Sequence, residues 1–236
     1  MNAIQRPEWA LLIIDMENAF VDPTSPHCIK MAQESLPACR QVIDTCRTEK
    51  MPIFYIKRTY RDDGSDIEIT RWEQWANTGR SMAPGSTGPK GADYCKEIQP
   101  QQGDYLLYKP RWSAFFQTSL DLILRRLGIR GVVIIGTTTP NCVRTTAYDA
   151  NAYDYETVII SDATSSKTPE IQQANLEDLR GMGSRILTAA EFAEQGHAYE
   201  LEHWVERIRQ DKYENERIPE PIELHADGTS GWIDKW

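Results

Sequence analysis

The stretch GVVIIGTTTPNCVRTTAYDA, residues 131–150, joins an apolar run to a segment of helical character through a short polar turn. Its first part, Gly131–Ile135, is continuously apolar and rich in β-branched residues, as is typical of a strand covered on both faces. Thr139 then fits the N-cap of a helix, and Pro140 suits the first helical position. A buried strand that leads directly into a helix predicts a parallel α/β sheet.

The rest of the chain repeats this alternation. Further apolar runs that we interpret as strands are Trp9–Ile14, Ile53–Ile56, Tyr105–Tyr108, Thr157–Ile160 and, more weakly, Arg185–Leu187. Helical spacing of apolar residues covers 35–50, 118–127, 141–152 and 170–182. The sequence therefore predicts an α/β fold with a Rossmann-like, doubly wound, mostly parallel sheet of about six strands and helices on both faces.

Three reactive side chains follow three of the predicted strands. Asp15 follows the first apolar run, Lys109 follows Tyr105–Tyr108, and Cys142 lies in the first turn of the helix that begins near Thr139. Because parallel strands place their carboxyl ends at one edge of the sheet, we expect the three side chains to converge there. They would supply a proton acceptor, a positive charge and a nucleophile, and the helix start should favour the thiolate.

Composition limits the classes of partner and the compartment. The 236 residues carry 26 Lys and Arg against 35 Asp and Glu, a net charge of −9, which disfavours nucleic acid and anionic membranes as partners. No apolar run approaches the roughly 20 residues of a membrane-spanning helix, so we expect a cytoplasmic globular protein. Five cysteines without C-x-x-C spacing indicate neither a disulfide framework nor a zinc site.

Two segments fall outside the regular alternation. Residues 59–103 form a long glycine-containing insertion with Trp72 and Trp75. It is either a lid or binding loop, or else a solvated surface excursion or an oligomer contact. Residues 199–236 turn to charged and aromatic composition, which predicts a C-terminal helix and extended arm after a main α/β domain at 1–198. The arm is either solvated or packs its tryptophans against a neighbouring subunit.

The chain resembles the isochorismatase-like cysteine hydrolases, a superfamily that includes nicotinamidases and N-carbamoylsarcosine, ureidoacrylate and biuret amidohydrolases. The resemblance runs from about residue 8 to about residue 195 and is carried by LLIIDMENAF, KPRWSAFFQTSLDLILRRLGIRGVVIIG and TTTPNCVRTTAYDA. It implies a catalytic triad of Asp15, Lys109 and Cys142. It also implies a cis peptide at Thr137–Thr138, an oxyanion hole from the N–H groups of Thr138 and Cys142, and a homo-oligomer, a dimer or tetramer.

The function implied is hydrolysis of the C–N bond of a small amide, carbamoyl or ureido substrate through a thioester, without a cofactor. Two alternatives stay open: an isochorismatase-type or ester hydrolase on the same fold, and a non-catalytic thiol sensor or partner-binding protein. Nicotinamidases hold a metal with an Asp-x-His pair and a further His. This chain has no His between residues 28 and 196, so we expect no metal.

Substrate contacts are harder to predict from the sequence. Aromatic and polar residues beside the triad segments are the candidates, and Arg58 and Arg111 could grip a carboxylate in bidentate fashion. The candidate substrate-binding residues are Phe20, Arg58, Arg111, Trp112, Phe115 and Asn141. For Arg144, inside the helix after Cys142, we expect a structural salt bridge.

Overall fold

Six parallel strands form one sheet in the computed structural model, which describes residues 8–86, 88 and 90–195. The strands are β1 (Trp9–Ile14), β2 (Ile53–Arg58), β3 (Tyr105–Lys109), β4 (Gly131–Thr137), β5 (Glu156–Ser165) and β6 (Arg185–Leu187). Their order in the sheet is β3-β2-β1-β4-β5-β6. β1, β2 and β4 are buried along their whole length, which explains their continuous apolar sequences.

Helices cover both faces of the sheet. They are α1 (Asn18–Val21), α2 (Lys30–Glu34), α3 (Leu36–Thr48), α4 (Trp72–Asn77), α5 (Leu120–Leu127), α6 (Arg144–Ala152), α7 (Pro169–Gly181) and α8 (Ala189–Gln195). The apolar sides of α5, α6 and α7 share one core cluster with the alternate residues of β1, β2 and β4. α3 packs with α8 and against β1, β2 and β5. The predicted doubly wound fold is confirmed.

The elements agree with the sequence interpretation in position but differ at their ends. β2, β4 and β5 continue two or more residues past the apolar runs, into polar residues that carry the site. The predicted C-terminal arm at 199–236 lies outside the described residues. No helix within the described ranges combines the length and apolar character needed to span a bilayer.

Gly136 allows β1 and β4 to lie close together at the site edge. Its φ is +115°, and a Cβ built on it would fall 2.1 Å from the backbone oxygen of Ile14. No side chain fits there, because a backbone oxygen cannot move aside without shifting β1. Ile14 directly precedes Asp15, so this glycine sets the distance between the strand that carries Asp15 and the strand that leads to Cys142.

Candidate active site

The carboxyl ends of β1, β3 and β4 bring Asp15, Lys109 and Cys142 to one edge of the sheet. Asp15 follows β1, has φ of 52°, and donates its backbone N–H to Ile56 O at 2.8 Å. The left-handed conformation is tolerated by Asp better than by most other residues and turns the chain immediately after the strand. All three side chains are buried, and Asp15 and Cys142 line the same cavity.

Lys109 and Asp15 form a buried ion pair. Lys109, the last residue of β3, is fully buried and donates from Nζ to Asp15 Oδ2 at 2.8 Å and to Arg111 O at 3.3 Å. Asp15 Oδ1 is also buried but accepts no conventional hydrogen bond within the described residues. One oxygen of this carboxylate is therefore fixed by the lysine, while the other has capacity to accept a proton.

The turn that carries Cys142 differs slightly from the predicted helix start. Thr138 is its N-cap, one residue earlier than expected, and Thr139–Val143 forms a single π-helical turn before α6. The backbone N–H groups of Asn141 and Val143 donate to Thr138 O, and Thr139 Oγ1 donates to Ser165 O at 3.1 Å. The Thr137–Thr138 peptide bond is cis, at the position that the resemblance implies.

The pKa of the Cys142 thiol is shifted opposite to the expectation from the helix start. Burial, with only 5% of the residue exposed, is the main cause that raises this pKa to about 12, and the negative charge of Asp15 adds to it. Lys109 and Arg58 oppose the shift. Burial and the charge of Asp15 therefore favour the neutral thiol of Cys142 against the opposing charges of Lys109 and Arg58.

A cavity of about 590 Å³ opens beside these residues. Its volume suits a small ligand. The residues that line it are Asp15, Phe20, Pro26, His27, Cys28, Ile29, Lys30, Arg58, Arg71, Ser81, Met82, Trp112, Thr137, Thr138, Asn141, Cys142 and Lys167. Of the candidate substrate contacts, Phe20, Arg58, Trp112 and Asn141 lie at this cavity, and Asn141 Nδ2 donates to Thr138 Oγ1 at 3.1 Å.

Two candidates, Arg111 and Phe115, do not line the cavity. The Arg111 guanidinium donates to the carbonyl oxygens of Asp66, Pro110 and Ile67, so it anchors the 59–103 insertion instead of facing a ligand. Phe115 is part of the core cluster, with its ring centroid 5.6 Å from that of Tyr153 and 5.8 Å from that of Tyr155. Core packing therefore accounts for this aromatic side chain.

Arg144, on α6, makes the expected salt bridge, since its Nη2 lies 2.9 Å from Asp178 Oδ2. Asn175 accepts from Arg144 Nη1 and likewise lies away from the cavity.

The sequence interpretation missed several groups at or near the site. Arg71, Ser81 and Met82 come from the insertion. Its sequence has no periodic spacing of apolar residues from which its path could be predicted. Glu17 is buried two residues beyond Asp15, and burial first, then the charge of Asp15, raises its pKa to about 8. Among the described residues, no three His, Cys, Asp or Glu side chains are grouped so as to hold a metal ion.

Known proteins match this chain over most of its length. The isochorismatase domain model covers residues 9–191. A probable inactive nicotinamidase of Arabidopsis thaliana is 34% identical over 79% of this chain and 95% of its own. The ureidoacrylate amidohydrolase RutB of Stutzerimonas stutzeri is 31% identical over 78% and 82%, respectively.

A solved structure gives the same result. The crystal structure of an isochorismatase family protein from Desulfovibrio vulgaris superposes with a TM-score of 0.73 at 35% identity, covering 80% of this chain and 97% of that one. The sheet, the cavity at its carboxyl edge and the sequence matches agree with one another. The chain belongs to the isochorismatase family.

Proposed function

We propose that the protein is a cysteine amidohydrolase that cleaves the C–N bond of a small amide, carbamoyl or ureido compound. The observation that carries the proposal is the buried Lys109–Asp15 ion pair at the cavity that Cys142 also lines; the second carboxylate oxygen accepts no conventional hydrogen bond from the described residues. RutB, named as a ureidoacrylate amidohydrolase, supports C–N hydrolysis within the family.

The first half of the reaction follows from these positions. Because the resting thiol is neutral, Asp15 accepts its proton as the sulfur attacks the substrate carbonyl carbon. The backbone N–H groups of Thr138 and Cys142 are assigned to the oxyanion of the tetrahedral intermediate. When the C–N bond breaks, Asp15 returns the proton to the departing nitrogen, which leaves as ammonia or an amine, and a thioester remains on Cys142.

The second half consumes one water molecule. Asp15 accepts a proton from the water as its oxygen attacks the thioester carbonyl, and the C–S bond breaks to release the carboxylic or carbamic acid. The proton then returns to the Cys142 sulfur. Lys109 holds Asp15 in position through both halves by the 2.8 Å contact of their buried ion pair.

Ammonia release from a panel of primary amides, carbamoyl compounds and ureides, with acid release from esters measured in parallel, tests this proposal. We expect turnover of at least one C–N substrate and its loss in Cys142→Ala. Cys28→Ala is the matched control, because Cys28 lines the same cavity but contacts neither member of the ion pair. Turnover that survives in Cys142→Ala, or that is confined to esters, would contradict the proposal.

A further inference from the structure

The candidate cavity is positively charged in a negatively charged protein. The chain carries a net charge of −9, yet the described residues that line the cavity include four cations and one acid, namely Lys30, Arg58, Arg71, Lys167 and Asp15. That acid is already paired with Lys109. A local reversal of charge in a concave site concentrates anionic ligands.

Arg58 is held rigidly at this cavity. It ends β2, between the strands that lead to Asp15 and Lys109, and its side chain is only 2% exposed. Its Nη2 donates to Tyr60 Oη and to Glu68 Oε1, its guanidinium carbon lies 3.8 Å from the ring centroid of Trp112, and its buried Nε has no acceptor within the described residues. The donor capacity of this guanidinium is only partly used.

Arg71 adds a second guanidinium to the same wall. It comes from the insertion. Its guanidinium carbon lies 5.0 Å from the Trp112 ring centroid, and its Nη1 lies 3.7 Å from Glu68 Oε2. Two arginines therefore share one carboxylate, which leaves one positive charge in excess beside Trp112. Lys167, which is exposed and makes no ion pair within the described residues, adds to this excess.

We propose that the substrate carries a carboxylate that Arg58 and Arg71 bind beside Trp112 while its amide or ureide carbon faces Cys142. The inference rests on the proposed function and names its substrate class, small amido or ureido acids. A guanidinium matches a carboxylate in bidentate geometry, and a bound carboxylate would neutralise the excess charge. Uncharged amides have no carboxylate for the two arginines to bind, so the arginines do not strengthen their binding.

Matched substrate pairs test the charge requirement. 3-Ureidopropanoate and succinamate carry the carboxylate, whereas propylurea and butanamide present the same scissile bond without it. We expect kcat/KM to be at least about 100-fold higher for the acids, the range for charge-assisted hydrogen bonds between well-placed groups. Equal or higher kcat/KM for the neutral partners would overturn the inference and leave the amidohydrolase proposal standing.

Substitutions of Arg58 and Arg71 test whether these two arginines cause the preference for acids. Arg71→Gln should reduce kcat/KM for the acids by about 10-fold and shrink the acid-to-neutral ratio. Arg58→Gln is combined with Glu68→Gln, so that no buried carboxylate is left without its partner. Arg61→Gln is the matched control, since it removes the same charge from an exposed position outside the cavity and should leave the ratio unchanged. A ratio that Arg71→Gln and the double variant leave intact would overturn the assignment.

Binding measurements on an inactive variant test the anion site independently of the proposed catalytic activity. Calorimetric titration of Cys142→Ala with 3-ureidopropanoate and with propylurea needs no turnover. We expect binding of the acid only, weakened by Arg71→Gln in the same background. If the acid binds in this way and no C–N substrate is cleaved by the wild-type protein, the anion site stands and the amidohydrolase proposal fails. Equal binding of the two compounds, or of neither, would overturn the anion site.

Discussion

Asp15 is central to the proposed chemistry because its two oxygens have different surroundings. Oδ2 accepts from Lys109 at 2.8 Å, and Oδ1 is buried and accepts no conventional hydrogen bond in the described part of the chain. The carboxylate also raises the pKa of Cys142, so the same group that suppresses ionisation at rest is placed to take the proton during attack. In the proposed mechanism the thiolate therefore forms only when Asp15 takes the proton as the sulfur attacks the substrate.

Asp15→Asn should lower the pKa of the Cys142 thiol from its value of about 12, because the variant removes a negative charge and leaves the positive charges of Lys109 and Arg58. Thiolate absorbance in the ultraviolet during a pH titration measures this. Asp15→Asn/Cys142→Ala is the control that subtracts the other cysteines. An unchanged or higher thiol pKa would show that Asp15 does not act on Cys142.

Glu17 predicts a pH dependence of stability. Its pKa is raised from 4.5 to about 8 by burial, so between these values the folded protein holds a proton that the unfolded chain has lost. Stability must then fall as pH rises through this window. Compared with Glu17→Gln, the wild-type free energy of unfolding should drop on the order of 3–4 kcal/mol between pH 5 and pH 8. Urea titrations at several pH values measure it, and parallel curves for the two proteins would refute the role of Glu17.

At the scale of the elements, the site depends on strand ends and on the distance between β1 and β4. Buried apolar runs identified the strands and placed Asp15, Lys109 and Cys142 at one edge of the sheet. This was possible because the hydrophobic pattern and composition of a strand can be read from the short segment that forms it. Arg111 and Phe115 could not be placed in this way. The Arg111 guanidinium contacts the carbonyl of Ile67, 44 residues away in sequence, and the Phe115 ring packs on Tyr153, 38 residues away.

Gly136→Ala should destabilise the protein by about 3 kcal/mol and reduce activity, because it adds both an unfavourable φ and a contact with the Ile14 backbone. Urea denaturation measures the loss. Gly128→Ala is the control for φ alone: Gly128 has φ of +74° with no atom within 4 Å of an added Cβ, so about 1 kcal/mol is expected. Equal losses in the two variants would show that close approach of β1 and β4 is not what requires glycine.

For the whole molecule, the sequence predicted the doubly wound sheet but not the wall of the cavity that faces the triad. The wall draws Arg71, Ser81 and Met82 from the insertion, and its net charge is opposite in sign to that of the chain. Such a surface results from tertiary packing of irregular segments, which neither periodicity nor composition reveals. The predicted cytoplasmic location, the oligomeric state and the C-terminal arm stay predictions.

The central claim is that Cys142 forms a thioester with the substrate, using Asp15 and Lys109. Acid quenching during turnover, followed by mass spectrometry of the peptide that contains Cys142, tests it most directly. We predict a mass increase equal to that of the substrate acyl group on Cys142 of the wild-type protein, and none on Cys142→Ala. The same adduct on another residue, or turnover by Cys142→Ala at the wild-type rate, would contradict the account.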